Sequence, residues 1–290
     1  MSKLKAIVVA CLVGATVITS CQKESVSPTQ TAEENTSSDH STSERTANDI
    51  IETRPANLKA VVAVVSADIH GYYRALPARY DSTTKKYPLL VYLHGKGEIG
   101  DGSLAALPRV LKNGTAALLK AGKFPPNFYV NGQNFSFIVV MPQFTRWPTP
   151  DDVNSMITYA RNKYRVDTSR IYVAGLSMGG GGTWLFAEKY PTRSAAIVPI
   201  AGANKLYNTG AKFLASKNLP VWAFHNKYDP TVPSSYSVNN VAMINGGYPL
   251  IKPRLTIWNA YTHDAWTKAS NPSYKENNLN IYQWMLQYKR

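Results

Sequence analysis

Gly175-Leu176-Ser177-Met178-Gly179 is the stretch of this chain whose residue types point most directly to chemistry. It follows residues 170–174, which read as a strand. It leads, through the glycine-rich residues 180–184, into a segment expected to be helical by residues 186–189. The flanking glycines allow a tight strand–turn–helix junction, where a Cβ would collide with the neighbouring strand or helix, and the serine is expected on that turn with its hydroxyl exposed above the sheet. An alcohol is a weak nucleophile until a base takes its proton, and that base needs an acid to orient it. After Ser177 the chain holds only two histidines, His225 and His263. The carboxylates in the matching loops are Asp229, in a Pro-flanked loop over residues 225–233, and Asp264, beside His263.

Chain order separates these candidates. With a nucleophile of this kind the acid comes next and the histidine last. His263 lies in the loop after the last predicted strand, whereas His225 ends a buried run and reads as a strand-end histidine near the site. Asp264 is poorly placed to reach its neighbour's ring nitrogen. The expected triad is therefore Ser177, Asp229 and His263. An oxyanion needs N–H donors as well, and Leu93-His94-Gly95-Lys96-Gly97-Glu98 follows another predicted strand. The backbone N–H groups of Met178 and Lys96 are the expected pair, with Gly95 as the alternative loop donor and His94 packed beneath the loop.

Several elements must position these residues. Near-continuous apolar runs at 89–93, 137–141, 171–174, 195–201, 221–224 and 255–258 are of the type found in strands covered on both faces. Runs at 58–65 and 71–76 read as an edge hairpin. Val153, Met156, Ile157, Ala160 and Tyr164 share one helical face behind the start signal Pro150-Asp151-Asp152, and a last helix is expected over residues 279–288. Alternation of this kind predicts a mostly parallel central sheet flanked by helices, in a single domain over residues 51–290.

The beginning of the chain has a different texture. Lys3 and Lys5 precede an apolar run over residues 6–18, too short to span a bilayer, and Ile18-Thr19-Ser20-Cys21 follows. This resembles a bacterial lipoprotein signal in residues 1–20, with Cys21 as the lipidated residue; the competing reading is a plain signal peptide with Cys21 incidental. Cys11 would be removed with the signal, so neither a disulfide nor a cysteine-based metal site is expected. Residues 21–50 are rich in Ser, Thr, Glu and Asn and read as a disordered tether reaching about 30 Å. The expected location is the cell envelope, lipid-anchored and periplasmic or surface-exposed. A formal net charge of +14 favours anionic partners, but the basic residues are scattered and no nucleic-acid motif accompanies them. Anionic glycans and lipid headgroups suit that charge, and nucleic acid is not an expected partner.

The segments Tyr92-Leu93-His94-Gly95-Lys96-Gly97-Glu98-Ile99-Gly100, Met141-Pro142-Gln143, Gly175-Leu176-Ser177-Met178-Gly179 and His263-Asp264-Ala265-Trp266 together resemble the bacterial polyhydroxybutyrate depolymerase-like and dienelactone hydrolase-like esterases of the α/β-hydrolase superfamily. The resemblance covers residues 70–288, with the motifs in family order. It implies an α/β-hydrolase fold and a carboxylic-ester hydrolase without metal or organic cofactor. The implied substrate is an ester, small or polymer-borne, of the feruloyl, acetyl or polyester kind. By analogy with a family whose cleft is lined by aromatic rings, Trp147, Trp184 and Trp266 are candidate substrate contacts; for Trp184, on a helix, core packing is the competing reading. Two other functions stay open. One is a serine peptidase of the prolyl-oligopeptidase-like type, against which stands the lack of room for an accessory domain in 240 residues. The other is a surface-binding protein that has lost catalysis on this scaffold, against which stands a full set of triad residues in order.

Overall fold

In the computed structural model, which describes residues 51–290, a hairpin comes first. Its strands β1 (Asn57–Ser66) and β2 (Ile69–Leu76) pair antiparallel with Asn57 opposite Leu76. β3 (Tyr87–Leu93) then enters the middle of the sheet, and α1 (Gly114–Lys120) follows it. β4 (Phe128–Val130) and β5 (Gln133–Phe135) form a small separate hairpin. β6 (Ile138–Phe144), α2 (Pro150–Lys163), β7 (Val166–Leu176), α3 (Met178–Lys189) and β8 (Ala196–Ile200) come next. After them lie α4 (Asn208–Ser216), β9 (Trp222–Asn226), α5 (Ser235–Asn245), β10 (Arg254–Trp258), α6 (Trp266–Ala269) and α7 (Ile281–Leu286). The main sheet runs β1-β2-β6-β3-β7-β8-β9-β10, antiparallel at the β1/β2 and β2/β6 pairs and parallel from β6 to β10.

β3 shows why such a sheet reads as an unbroken apolar run. Leu89, Val91 and Leu93 point into one cluster, with Val153 and Met156 of α2 and Trp184 and Phe186 of α3. Leu90 and Tyr92, between them, point into a second cluster with Leu119 of α1 and Tyr282 and Trp284 of α7. Both faces are covered, and each buried Leu contributes about 1.5–3 kcal/mol of transfer free energy. β1, by contrast, alternates exposed and half-buried residues as an edge strand does.

α2 starts where its sequence says it should. Pro150 occupies the first helical position, the Thr149 hydroxyl accepts the Asp152 N–H at 3.2 Å, and the Asp152 carboxylate accepts the Thr149 N–H at 3.0 Å. Tyr164, assigned to the helix face from periodicity, is instead its half-buried C-cap. α3 begins at Met178, well before the expected onset near residue 186. Four consecutive glycines are poor helix formers, each costing about 1 kcal/mol relative to alanine. Tertiary packing overrides that preference: a Cβ on Gly179 would lie 2.3 Å from the Leu93 carbonyl oxygen, and one on Gly180 2.6 Å from that of Ile200. Among the described residues, no helix is long and apolar enough to cross a membrane. The predicted signal, Cys21 and the tether lie outside the described residues.

Candidate active site

Ser177 sits between the end of β7 and the first residue of α3, with φ 52° and ψ −114°. A non-glycine residue at such a φ is strained, and the surrounding structure has to hold it there. The Ser177 N–H donates to the Ile200 carbonyl at 2.9 Å, and the Ala203 N–H donates to the Ser177 carbonyl at 3.1 Å. Gly175 allows the close approach on the strand side, since a Cβ there would stand 2.4 Å from the Gly179 carbonyl oxygen.

The structure brings the other two expected residues to this serine. The Ser177 hydroxyl donates to His263 Nε2 at 2.8 Å, and His263 Nδ1–H donates to Asp229 Oδ2 at 2.6 Å. Asp229 follows β9 and His263 follows β10, so both loops lie at the carboxyl ends of parallel strands, as Ser177 does after β7. The Asp229 carboxylate is wholly buried while the His263 ring is partly exposed. Asp229 Oδ1 accepts the N–H groups of Thr231 at 2.8 Å and Val232 at 3.0 Å, which turns Oδ2 toward the histidine. Asp264 is exposed and faces elsewhere, accepting the Thr267 N–H at 2.9 Å and the Thr267 hydroxyl at 2.7 Å. Both bonds lie in the first turn of α6.

The loop after β3 supplies the remaining wall. The Gly95 N–H is engaged by the Glu98 carboxylate at 2.6 Å. That leaves Lys96, the first residue of a short 3₁₀ turn over Lys96–Glu98, and Met178, the first of α3, with N–H groups that no intrahelical acceptor meets. His94 packs beneath the loop as expected. It is buried against the Phe144 ring, accepts the Phe144 N–H at Nε2 at 3.0 Å, and donates from Nδ1 to the Gly95 carbonyl at 2.7 Å. Desolvation pushes its pKa from 6.5 down to about 4, which keeps the ring neutral.

A cleft of about 420 Å³ opens over Ser177, walled by Trp147 and Trp266, with Gly95–Gly97 along one rim and Val232 along another. Trp266 stands edge-on to the His263 ring at 5.0 Å. Trp184 does not reach this cleft: it is fully buried in the core under α3, which corrects its assignment as a substrate contact. Its helical position turns it toward the sheet.

Several further residues position the site without being among its expected members. Asn113 donates to Glu98 at 2.7 Å and accepts the Trp266 indole N–H at 3.3 Å, linking the loop to the aromatic wall. Gln143 donates to the carbonyls of Glu98 at 3.0 Å and Ala106 at 2.8 Å, holding the loop from below. Only Gln143 lay within a recognised motif. His225 is wholly buried at the end of β9, where its Nε2 lies 3.3 Å from Asp229 Oδ2. Among the described residues, no group of three or more His, Cys, Asp or Glu side chains is placed to hold a metal ion.

No protein-family model matches the chain. A bifunctional acetylxylan esterase/xylanase of Neocallimastix patriciarum is 26% identical over 140 residues, 48% of this chain and 18% of that protein. Among solved structures, a ferulic acid esterase superposes with a TM-score of 0.58 at 14% identity, covering 80% of this chain and 99% of that one. A thermostable esterase superposes with a TM-score of 0.55 at 22% identity, over 81% and 63% of the two chains. An acylaminoacyl peptidase gives 0.50 at 13% identity, over 75% and 39%. The chain thus spans under a fifth of the length of the curated relative it matches and under two thirds of that of the thermostable esterase. With the strand order and the strand–turn–helix at Ser177, these likenesses identify the described residues as an α/β-hydrolase fold.

Proposed function

We propose that this protein is a serine carboxylic-ester hydrolase working through an acyl-enzyme. The observation that carries the reading is the unbroken chain of hydrogen bonds from Ser177 to His263 to Asp229 at the floor of an open cleft. His263 takes the Ser177 proton as the hydroxyl oxygen attacks the ester carbonyl. Asp229 holds the imidazole in the required tautomer and balances the cation that forms. The oxyanion is received by the N–H groups of Met178 and Lys96, each worth on the order of 3 kcal/mol. Collapse of the intermediate releases the alcohol, which takes its proton from His263. Water then attacks the acyl-serine by the same steps in reverse.

The substrate class follows from the cleft walls and the relatives. Trp147 and Trp266 offer flat apolar faces to an aromatic acyl group or a sugar ring, and feruloyl and acetylxylan esterases stand among the similar proteins. Polymer-borne feruloyl, acetyl or polyester substrates are therefore the first to test. Lipidation at Cys21, with an envelope location, completes the proposal. A panel of chromogenic and natural esters, run with and without a serine-directed fluorophosphonate, tests the reading. Hydrolysis that the reagent eliminates is expected. Cleavage of acyl-peptides in preference to every ester would replace the esterase with a peptidase.

A further inference from the structure

We propose that His225 is a positioning residue for Asp229: a neutral, buried second histidine that fixes the carboxylate's rotation so that Oδ2 faces His263. This rests on the ester-hydrolase reading of the site.

The hydrogen bonds decide where the His225 proton is. Nε2 faces the Val232 carbonyl oxygen at 3.0 Å and Asp229 Oδ2 at 3.3 Å, neither of which carries a hydrogen. Nε2 must therefore be the protonated nitrogen, bonded to the Val232 carbonyl with Asp229 Oδ2 beside it. Nδ1 is then a lone pair, and it accepts the Ser237 hydroxyl at 2.8 Å. Ser237 and His225 are both wholly buried, on α5 and β9 respectively, so the tautomer is locked from two elements at once.

The donors around Asp229 show what His225 adds. Oδ1 is held by the N–H groups of Thr231 and Val232. Oδ2 receives His263 Nδ1–H, but that imidazole gains and loses a proton in every cycle. The His225 Nε2–H, 3.3 Å from Oδ2, is the polar neighbour of that oxygen that takes no part in the proton traffic. The same N–H holds the Val232 carbonyl, whose own residue's N–H holds Oδ1, so ring, carboxylate and turn brace one another. Neutrality matters here. A lysine or arginine in this place would also set an N–H beside Oδ2, but its charge would cancel the carboxylate's field on His263. Desolvation by burial lowers the pKa of His225, against the opposing pull of the Val232 carbonyl and of Asp229, and so keeps the ring an uncharged donor. The other charged groups around the cleft are committed elsewhere or lie on its rim. Glu98 is held by Gly95 and Asn113, Asp264 by Thr267, and Lys96 stands exposed at the cleft edge.

Two substitutions separate positioning from packing. In His225→Asn the side-chain oxygen can still accept the Ser237 hydroxyl, but nothing reaches Asp229. In His225→Gln the longer amide places an N–H near the former Nε2. His225→Asn is expected to lower kcat about 10- to 100-fold with KM within about twofold, since a small misplacement of a catalytic group costs rate rather than binding. His225→Gln should recover much of the rate. Proton NMR of the free protein gives a readout independent of any substrate. The far-downfield resonance of the His263 Nδ1–H should move upfield or broaden in folded His225→Asn and return in His225→Gln. If that resonance moves while wild-type protein hydrolyses no ester, His225 keeps its positioning role and the esterase reading falls. If folded His225→Asn keeps the wild-type resonance and a kcat within twofold, or if the Gln variant is no better than the Asn variant, the positioning role is overturned.

Discussion

The Glu98 carboxylate accepts the Gly95 N–H at 2.6 Å, and this contact decides which amide of the β3 loop is left to face the cleft. Gly95 is taken, so Lys96 is the loop donor in the proposed mechanism. Glu98→Ala should let the loop relax and swing the Lys96 N–H away from the oxyanion position, lowering kcat by about 10²-fold with little change in KM. Steady-state kinetics on a short-chain ester checks this. A normal kcat in that variant would mean that Gln143, which bonds the backbone carbonyl of residue 98, holds the loop without the carboxylate.

The strain at Ser177 leads to two opposite effects at one position. Ser177→Ala removes the proposed nucleophile and should lower kcat by several orders of magnitude while keeping the unfavourable φ of 52°. Ser177→Gly should be as inactive but more stable than the alanine variant by about 1 kcal/mol, because glycine tolerates that φ and its looser unfolded chain offsets only part of the relief. Calorimetry should show this as a Tm about 2–4 °C higher for the glycine variant. An alanine variant that keeps more than a tenth of wild-type kcat would remove Ser177 from the mechanism.

Which parts of this site were legible in the sequence follows from how far each signal reaches. Ser177, Asp229 and His263 each sit just past an apolar strand, and strand ends and chain order are properties of short stretches. The doubly covered strands announced themselves in the same way. Local propensity places the start of α3 too late because it penalises glycine, while the contact that favours the early start is with Leu93, far away in the chain. α4 and α5 are short, and residues such as Ser235, Asn239 and Asn240 in α5 carry no strong period, so neither helix stood out. The bonds of Asn113 to Glu98 and Trp266 join three distant segments and leave no pattern in any of them. Trp184 was ambiguous because an indole is as useful in a core as in a cleft.

Asp229 and Asp264 give a direct test of the acid. Asp229→Asn keeps the shape of the buried side chain but favours the wrong imidazole tautomer, so kcat should fall on the order of 10⁴-fold by analogy with other serine triads. Asp264→Asn disturbs only the bonds to Thr267 in the first turn of α6 and should leave kcat within about threefold. The comparison is between the two variants on one ester. If the second is the more damaging, the acid has been assigned to the wrong loop.

Cys21 is tested by fractionation. Cys21→Ser should move the protein from the membrane to the soluble fraction, and a fatty-acid analogue fed to the cells should label the wild type alone. Equal labelling of both proteins would remove the lipid anchor from the proposal.

His94 ties the stability of the oxyanion loop to pH. Its folded pKa is about 4 against an ordinary 6.5, because burial disfavours the charged ring. The unfolded chain therefore takes up this proton first as the pH falls. The stability due to neutral His94 is fully present above pH 6.5 and declines down to about pH 4, a total of about 3 kcal/mol at 1.4 kcal/mol per unit. His225, whose pKa is also lowered by burial, contributes a loss of the same sign. His94→Gln can still accept the Phe144 N–H through its side-chain oxygen, yet has nothing to titrate. Urea unfolding of an inactive, full-length background at several values between pH 7 and 4 should show a slope for His94→Gln that is shallower by close to one proton. Identical slopes for the two proteins would mean that water reaches the His94 ring in the folded state, and that the loop is not sealed from below.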